Sequence, residues 1–196
     1  MDEKCTITAL VGKGAAKLAL AQAQPGAEIC REDGIPYSPL LSIKQNAAQL
    51  RILLDDEQSN WLRELIDNAE LKKQGWSKPF RKDQIGLLRL WGILTALLTR
   101  PYEVLALEPM AGMTAANRDA FRRLLTLSTE KGICFCYTAE RLLDVMRLDL
   151  PQRVCFAAGS GWKETDTAAL AAKLDTTETG AAWDELQKSW EDIENG

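Results

Sequence analysis

The sequence predicts an α/β protein built on a mostly parallel sheet flanked by helices, and three stretches carry that expectation. An apolar run over residues 6–11 is followed by Gly12, Gly14 and an alanine-rich helical stretch that stops before Pro25-Gly26; this is a strand, a glycine turn and a helix. An apolar helical run ends at Arg100-Pro101 and leads into a short strand over residues 103–107, then a loop that opens a second helix near Thr114. A further apolar run, residues 133–138, follows Gly132. Open α/β sheets place ligands in the loops that leave the strands, so Glu108, at the end of its strand, is the first candidate site residue.

Composition narrows the possibilities. With 196 residues, 46% hydrophobic and 27% charged, the chain has room for one sizeable core and an appendage. A net charge of −4 leaves no footprint for nucleic acid. No apolar run is long enough to span a bilayer, and the start MDEKC lacks the basic residues and apolar stretch of a secretory signal, so a cytoplasmic location is expected. Five scattered cysteines suit free thiols in a reducing compartment. The absence of histidine removes the commonest general base and metal ligand.

Taken in order, the opening unit has the layout of a phosphate-binding loop, whose backbone amides and helix N-terminus attract an anion. Gly12, Gly14 and Lys17 are its candidate nucleotide-binding residues. The run VGKGAAKLAL is about two residues short of that pattern; Ala16 stands where its last glycine would be, and Leu18 replaces the hydroxyl residue that would face magnesium.

Residues 27–32 read as a second strand, and residues 33–50 as a loop entering a helix. From Gln45 to Trp76 the apolar positions, including Leu50, Leu53, Trp61, Leu62, Leu65 and Ile66, recur at helical spacing with a break near Asp55-Asp56. This segment reads as amphipathic helices, with Trp61 and Trp76 as large anchors that could dock a partner. Residues 85–98 are apolar almost all round, which marks a buried helix. Thr114 is a good N-cap for the helix that Gly132 ends. Cys134 and Cys136 share one face of a strand with no second ligand pair nearby, so they read as core thiols, and no metal site is expected. A short helix, a final strand over about 153–158 and a helical tail from Lys163, with Trp183 and Trp190 among its apolar positions, complete the chain. Trp190 packs back on the body or meets a partner; both readings stay open.

The run ALLTRPYEVLALEPMAGMTAANRDAF resembles the core of an ATP-binding cassette (ABC) ATPase, a P-loop NTPase. It is similar to the helix behind the signature motif, the "RP" turn, the Walker B strand ending in Glu-Pro, and the D-loop. The resemblance runs over roughly residues 6–161, and Leu41 to Asn46 is similar to the phrase that follows the family's glutamine loop. It implies an ABC ATPase-like domain over 1–162, with a helical subdomain at about 45–83 facing a membrane permease, a reduced antiparallel β-subdomain, and a tail over 163–196. It also implies a cytoplasmic subunit at the membrane, ATP or ADP with magnesium as the ligand, and a homodimer or a heterodimer with an active cassette. Glu108 falls where the family's catalytic glutamate stands, Gly86 is the remnant of the signature, and Gly112 and Thr114 follow the D-loop.

The positions that do the family's chemistry depart from its pattern. Leu107 stands for the Walker B aspartate, Asp83 for the signature serine, Thr114 for the D-loop aspartate, and Ala139 for the switch histidine. The expectation is a domain that keeps the fold and does not hydrolyse ATP, serving as a binding or regulatory component. The alternatives are an ATPase whose site a partner chain completes, and an unrelated α/β interaction protein.

Overall fold

The computed structural model describes residues 5–31, 37–79, 84–158 and 161–165. Strand β1 (Ile7–Val11) runs into helix α1 (Ala15–Gln22) and then β2 (Glu28–Cys30). Helices α2 (Ile43–Ile52), α3 (Asp56–Asn68) and α4 (Ile85–Leu97) lead to β3 (Glu103–Ala106), followed by α5 (Ala115–Glu130) and β4 (Cys134–Ala139). The short α6 (Leu142–Met146), β5 (Arg153–Ala158) and β6 (Gly161–Thr165) complete the described chain.

The six strands form one sheet in the order β2-β3-β4-β1-β5-β6. All pairings are parallel except β5 with β6. The expected mostly parallel α/β architecture is therefore present, and helices separate the parallel neighbours because such strands need long crossovers.

Alternation along the strands sorts the sheet into two unequal faces. Ile7, Ala9, Val11, Val104, Ala106, Phe135, Tyr137, Val154 and Phe156 join the main core, which α3, α4 and α5 cover. Phe121 of α5 meets Phe135 and Tyr137 edge-to-face, with centroids at 5.9 and 5.7 Å; such pairs contribute about 0.5–1.5 kcal/mol each beyond burial. On the opposite face, Leu10, Leu105 and Cys155 form a small cluster with Ala19 of α1. That face leaves an open cavity of about 340 Å³, lined by Leu10, Glu103, Cys136, Arg153 and Trp162 among others.

Local signals set the helix starts. Ser42 and Gln45 form a reciprocal capping box at α2, and Asp55 and Gln58 form another at α3. The break expected near Asp55-Asp56 is thus a cap. Gly132 ends α5 with a left-handed φ of +77°, as expected of a glycine after a helix.

Two expectations need correction. Trp61, offered as a partner anchor, is core: it is 1% exposed, and its Nε1 donates to the Leu97 carbonyl at 2.7 Å. Trp61, Leu62, Leu65 and Ile66 form the buried stripe of an amphipathic helix, and the indole lies inside that stripe, with Arg100 and Lys131 over its ring. Its size reflects burial on α4 rather than docking. Lys163, placed at the start of a helical tail, lies in β6 instead. The Arg153 guanidinium reaches across to the Glu164 carboxylate with bonds of 2.8 and 2.6 Å, a bidentate cross-strand pair that favours the hairpin. Residues 166–196, including Trp183 and Trp190, fall outside the described residues, as does Asp83.

Candidate functional site

The C-terminal ends of β1, β3 and β4 bring the candidate residues to one edge of the sheet. Register sets this up: Val11 pairs with Ala139, and Ala106 with Tyr137. The next residues along each strand therefore emerge side by side.

The connection from β1 to α1 is a tight turn. The Gly12 N–H donates to the Ala139 carbonyl at 3.0 Å, the Ala15 N–H to the Gly12 carbonyl at 3.1 Å, and the Leu18 N–H to the Gly14 carbonyl at 3.1 Å. Gly12 and Gly14 take φ of +129° and +80°, which side-chain-bearing residues rarely adopt. Lys17, one turn into α1, is exposed, and no ion pair involves it among the described residues.

The loop after β3 is held far more densely. Glu108 sits in the left-handed region at φ +48°, and its N–H donates to Thr138 Oγ1 at 2.8 Å. The same hydroxyl donates to Glu108 Oε1 at 3.2 Å, so Thr138, itself fully buried, binds Glu108 twice. Burial pushes the Glu108 carboxyl above the usual carboxylate range; the Thr138 hydroxyl, the Glu140 backbone N–H and Arg89 pull the other way. The Arg89 guanidinium on α4 donates to the carbonyls of Glu108 and Ala111, and Arg118 on α5 donates to the Met113 carbonyl at 2.9 Å. Thr114 caps α5 by accepting from the Asn117 N–H at 3.2 Å.

Gly86 and Gly112 belong to this same packing. A Cβ on Gly86 would lie 2.6 Å from Met113 Cα and 2.8 Å from the Gly112 carbonyl oxygen. Only a residue without a side chain lets the first turn of α4 approach that closely. Gly112 itself turns at φ +74° against the Ile85 side chain. The sheet edge thus joins Gly12 to Glu108 through Ala139 and Thr138, and joins Gly86 to Gly112 and Thr114 through the β3 loop. Trp76 lies apart, half-buried beside α2, where its carbonyl accepts from the Lys44 N–H at 2.9 Å.

No family model matches the chain, and no curated protein matches its sequence. Solved structures do match. The structure of cbiO1 from Clostridium perfringens, described as part of the ABC transporter complex cbiONQ, is similar with a TM-score of 0.64 at 14% identity, over 87% of this chain and 80% of that one. An ATP-binding cassette of an ABC transporter in its ADP conformation gives 0.60 at 15% identity, over 87% and 84%. An inward-facing ABC transporter gives 0.59 at 16% identity, over 84% and 73%. The fold is that of an ATP-binding cassette.

The residues present fit a magnesium triphosphate poorly. The turn spans only Gly12, Lys13 and Gly14 between β1 and α1, so it forms no wide ring of amides, and two of its flanking N–H groups are already bonded. The side chains of Leu18 and Leu107 carry no oxygen for a hard cation. Among the described residues, no three His, Cys, Asp or Glu side chains converge on a common point.

Sequence reasoning missed Arg89, Thr138 and Arg118. Arg89 did carry a signal: it is the single charged residue in the apolar run of α4, and a cation there requires acceptors. Thr138 gave none, since only tertiary structure sets a threonine of β4 against the β3 loop.

Proposed function

We propose that this chain is a non-hydrolysing ABC ATPase-like subunit that acts as a binding or regulatory component of an ABC transporter-type assembly. The observation that carries the reading is the three-residue turn between β1 and α1, closed by the Ala15 to Gly12 hydrogen bond. Catalysis in this class needs phosphates cradled by backbone amides and a magnesium shell, and the turn and its neighbours supply neither. Glu108 supports the same reading. Its carboxyl accepts from Thr138 and from the Glu140 backbone, so it closes the end of β4 onto the β3 loop, a structural task that accounts for its burial.

The partners that fit are a second copy, an intact cassette, or a membrane permease meeting the helical region around α2 and α3, where Ile52 and Leu53 are each 82% exposed. In the described residues no helix is long and apolar enough to cross a membrane.

Titration calorimetry of the full chain with ATP and magnesium tests the proposal, with Lys17→Ala as control. No heat at millimolar ATP is expected. Saturable binding lost in Lys17→Ala, together with hydrolysis abolished by Glu108→Gln, would overturn it. That result would favour the second reading, a nucleotide site that a partner chain completes, whose local support is the exposed Lys17 beside an edge that also carries Glu108.

A further inference from the structure

The five cysteines occupy different environments. Burial pushes the thiols of Cys30 and Cys136 up to about 12, and raises that of Cys155 as well. Such thiols stay protonated and react slowly. Cys5 and Cys134 are half-buried, and their sulfurs lie 2.8 Å apart. Cys5 Sγ also donates to the Gly132 carbonyl at 3.0 Å, which holds it over the turn that enters β4.

The two sulfurs meet where the chain enters β1, with Cys5 two residues before the strand begins. Ile7 pairs with Phe135, and the Phe135 N–H donates to the Thr6 carbonyl at 3.1 Å. Continuing that register sets Cys5 level with Ile133, one residue off Cys134; regular alternation would turn the two side chains to opposite faces, so their contact depends on Cys5 lying outside β1, where the strand pattern has not begun. Strands about 4.8 Å apart with a rise of about 3.3 Å per residue then give a Cα separation of about 5.8 Å, inside the range of roughly 4.4–6.8 Å that disulfides occupy.

We propose that Cys5 and Cys134 form a site of reversible oxidation, closing to a disulfide when the protein meets a peroxide. One thiolate attacks a peroxide oxygen, the O–O bond breaks, and a sulfenic acid forms with loss of hydroxide, which takes up a proton to become water. The second thiol attacks that sulfur and expels a second water as the S–S bond forms. The pair gives up two electrons and two protons, and hydrogen peroxide becomes two waters. The new bond clips the N-terminal ends of β1 and β4, the two strands whose other ends carry Gly12 and Ala139. It closes a covalent loop from residue 5 to residue 134, and constraining so long a loop raises the melting temperature by roughly 5–15 °C.

The test treats the reduced full chain with one equivalent of hydrogen peroxide, blocks remaining thiols with iodoacetamide, and maps non-reduced peptides by mass. The expected result is a linked peptide pair containing Cys5 and Cys134, two fewer titratable thiols, a higher melting temperature and full reversal by dithiothreitol. Cys5→Ser and Cys134→Ser each abolish the link and the thermal shift, while Cys136→Ser keeps both. A link through any other cysteine, a disulfide between two chains, sulfinic acid at Cys5 or Cys134, or five thiols still titratable would each overturn the proposal. The mapping uses the unmutated protein, so poor folding of a variant does not blunt it.

Discussion

Two loops leave the same edge of the sheet and are built in opposite ways. The turn after β1 is three residues long, and its outward backbone bond runs from Gly12 to Ala139. The loop after β3 is tied by Arg89, Arg118, Thr138 and the Thr114 cap, and α4 presses against it through Gly86. In a working cassette the first loop would hold the phosphates. Here the second is the more elaborate, and the ties that hold it run to this chain's own backbone and side chains.

Gly86→Ala should break that contrast most. The added methyl meets backbone atoms at 2.6 and 2.8 Å, and backbone cannot swing aside, so a loss of about 3 kcal/mol or more is expected. Thermal denaturation would then show a melting temperature lower by roughly 6–12 °C. Arg89→Met comes next, since it keeps the aliphatic stem but strips the donors from two loop carbonyls; about 1.5–3 kcal/mol is expected, read by urea unfolding at constant m-value. In the β1 turn, Gly14→Ala meets no atom within 4 Å and carries only the left-handed backbone cost of about 1–2 kcal/mol. If Gly14→Ala proves costlier than Gly86→Ala, the turn is the more constrained loop and the comparison is wrong.

The smallest effect is a pH dependence. Burial raises the Glu108 pKa in the folded state, so the fold favours its protonated form. Below the ordinary glutamate value of about 4.3 both states are protonated and nothing is lost. As pH rises through that value the unfolded chain ionises first, and stability falls until the folded group has ionised too. Glu108→Gln should therefore gain relative to the parent between pH 4 and neutrality, by less than about 1 kcal/mol because the carboxyl is half-exposed. Melting curves of both proteins across that range would show the difference growing with pH; a constant difference would remove burial as the cause.

Much of this fold was legible because its signals are local. Thr114 and Gly132 bracket α5 by cap chemistry that any window of the sequence contains, and the apolar run of α4 could only be buried. Trp61 was misread because amphipathic spacing reports that a stripe exists without saying what covers it. Strand β6 was missed because its reason lies in a partner, the Arg153 to Glu164 pair across the hairpin. At the site, the positions of Gly12 and Glu108 were readable, whereas the contact that explains Gly86 joins α4 to a loop more than twenty residues later and exists only once the chain has folded.

The place of β1 in the sheet also bears on how the protein is made. Ile7 pairs with Phe135, and Thr8 with Arg153, so both neighbours of this strand are among the last described strands to be synthesised. A ribosome adding about 5–20 residues per second would leave β1 without either neighbour for roughly 6–26 s. During that interval the apolar run Ile7 to Val11 is an open template for other chains or for a chaperone. The turn at Gly12 is made long before the strands that hold β1 in place.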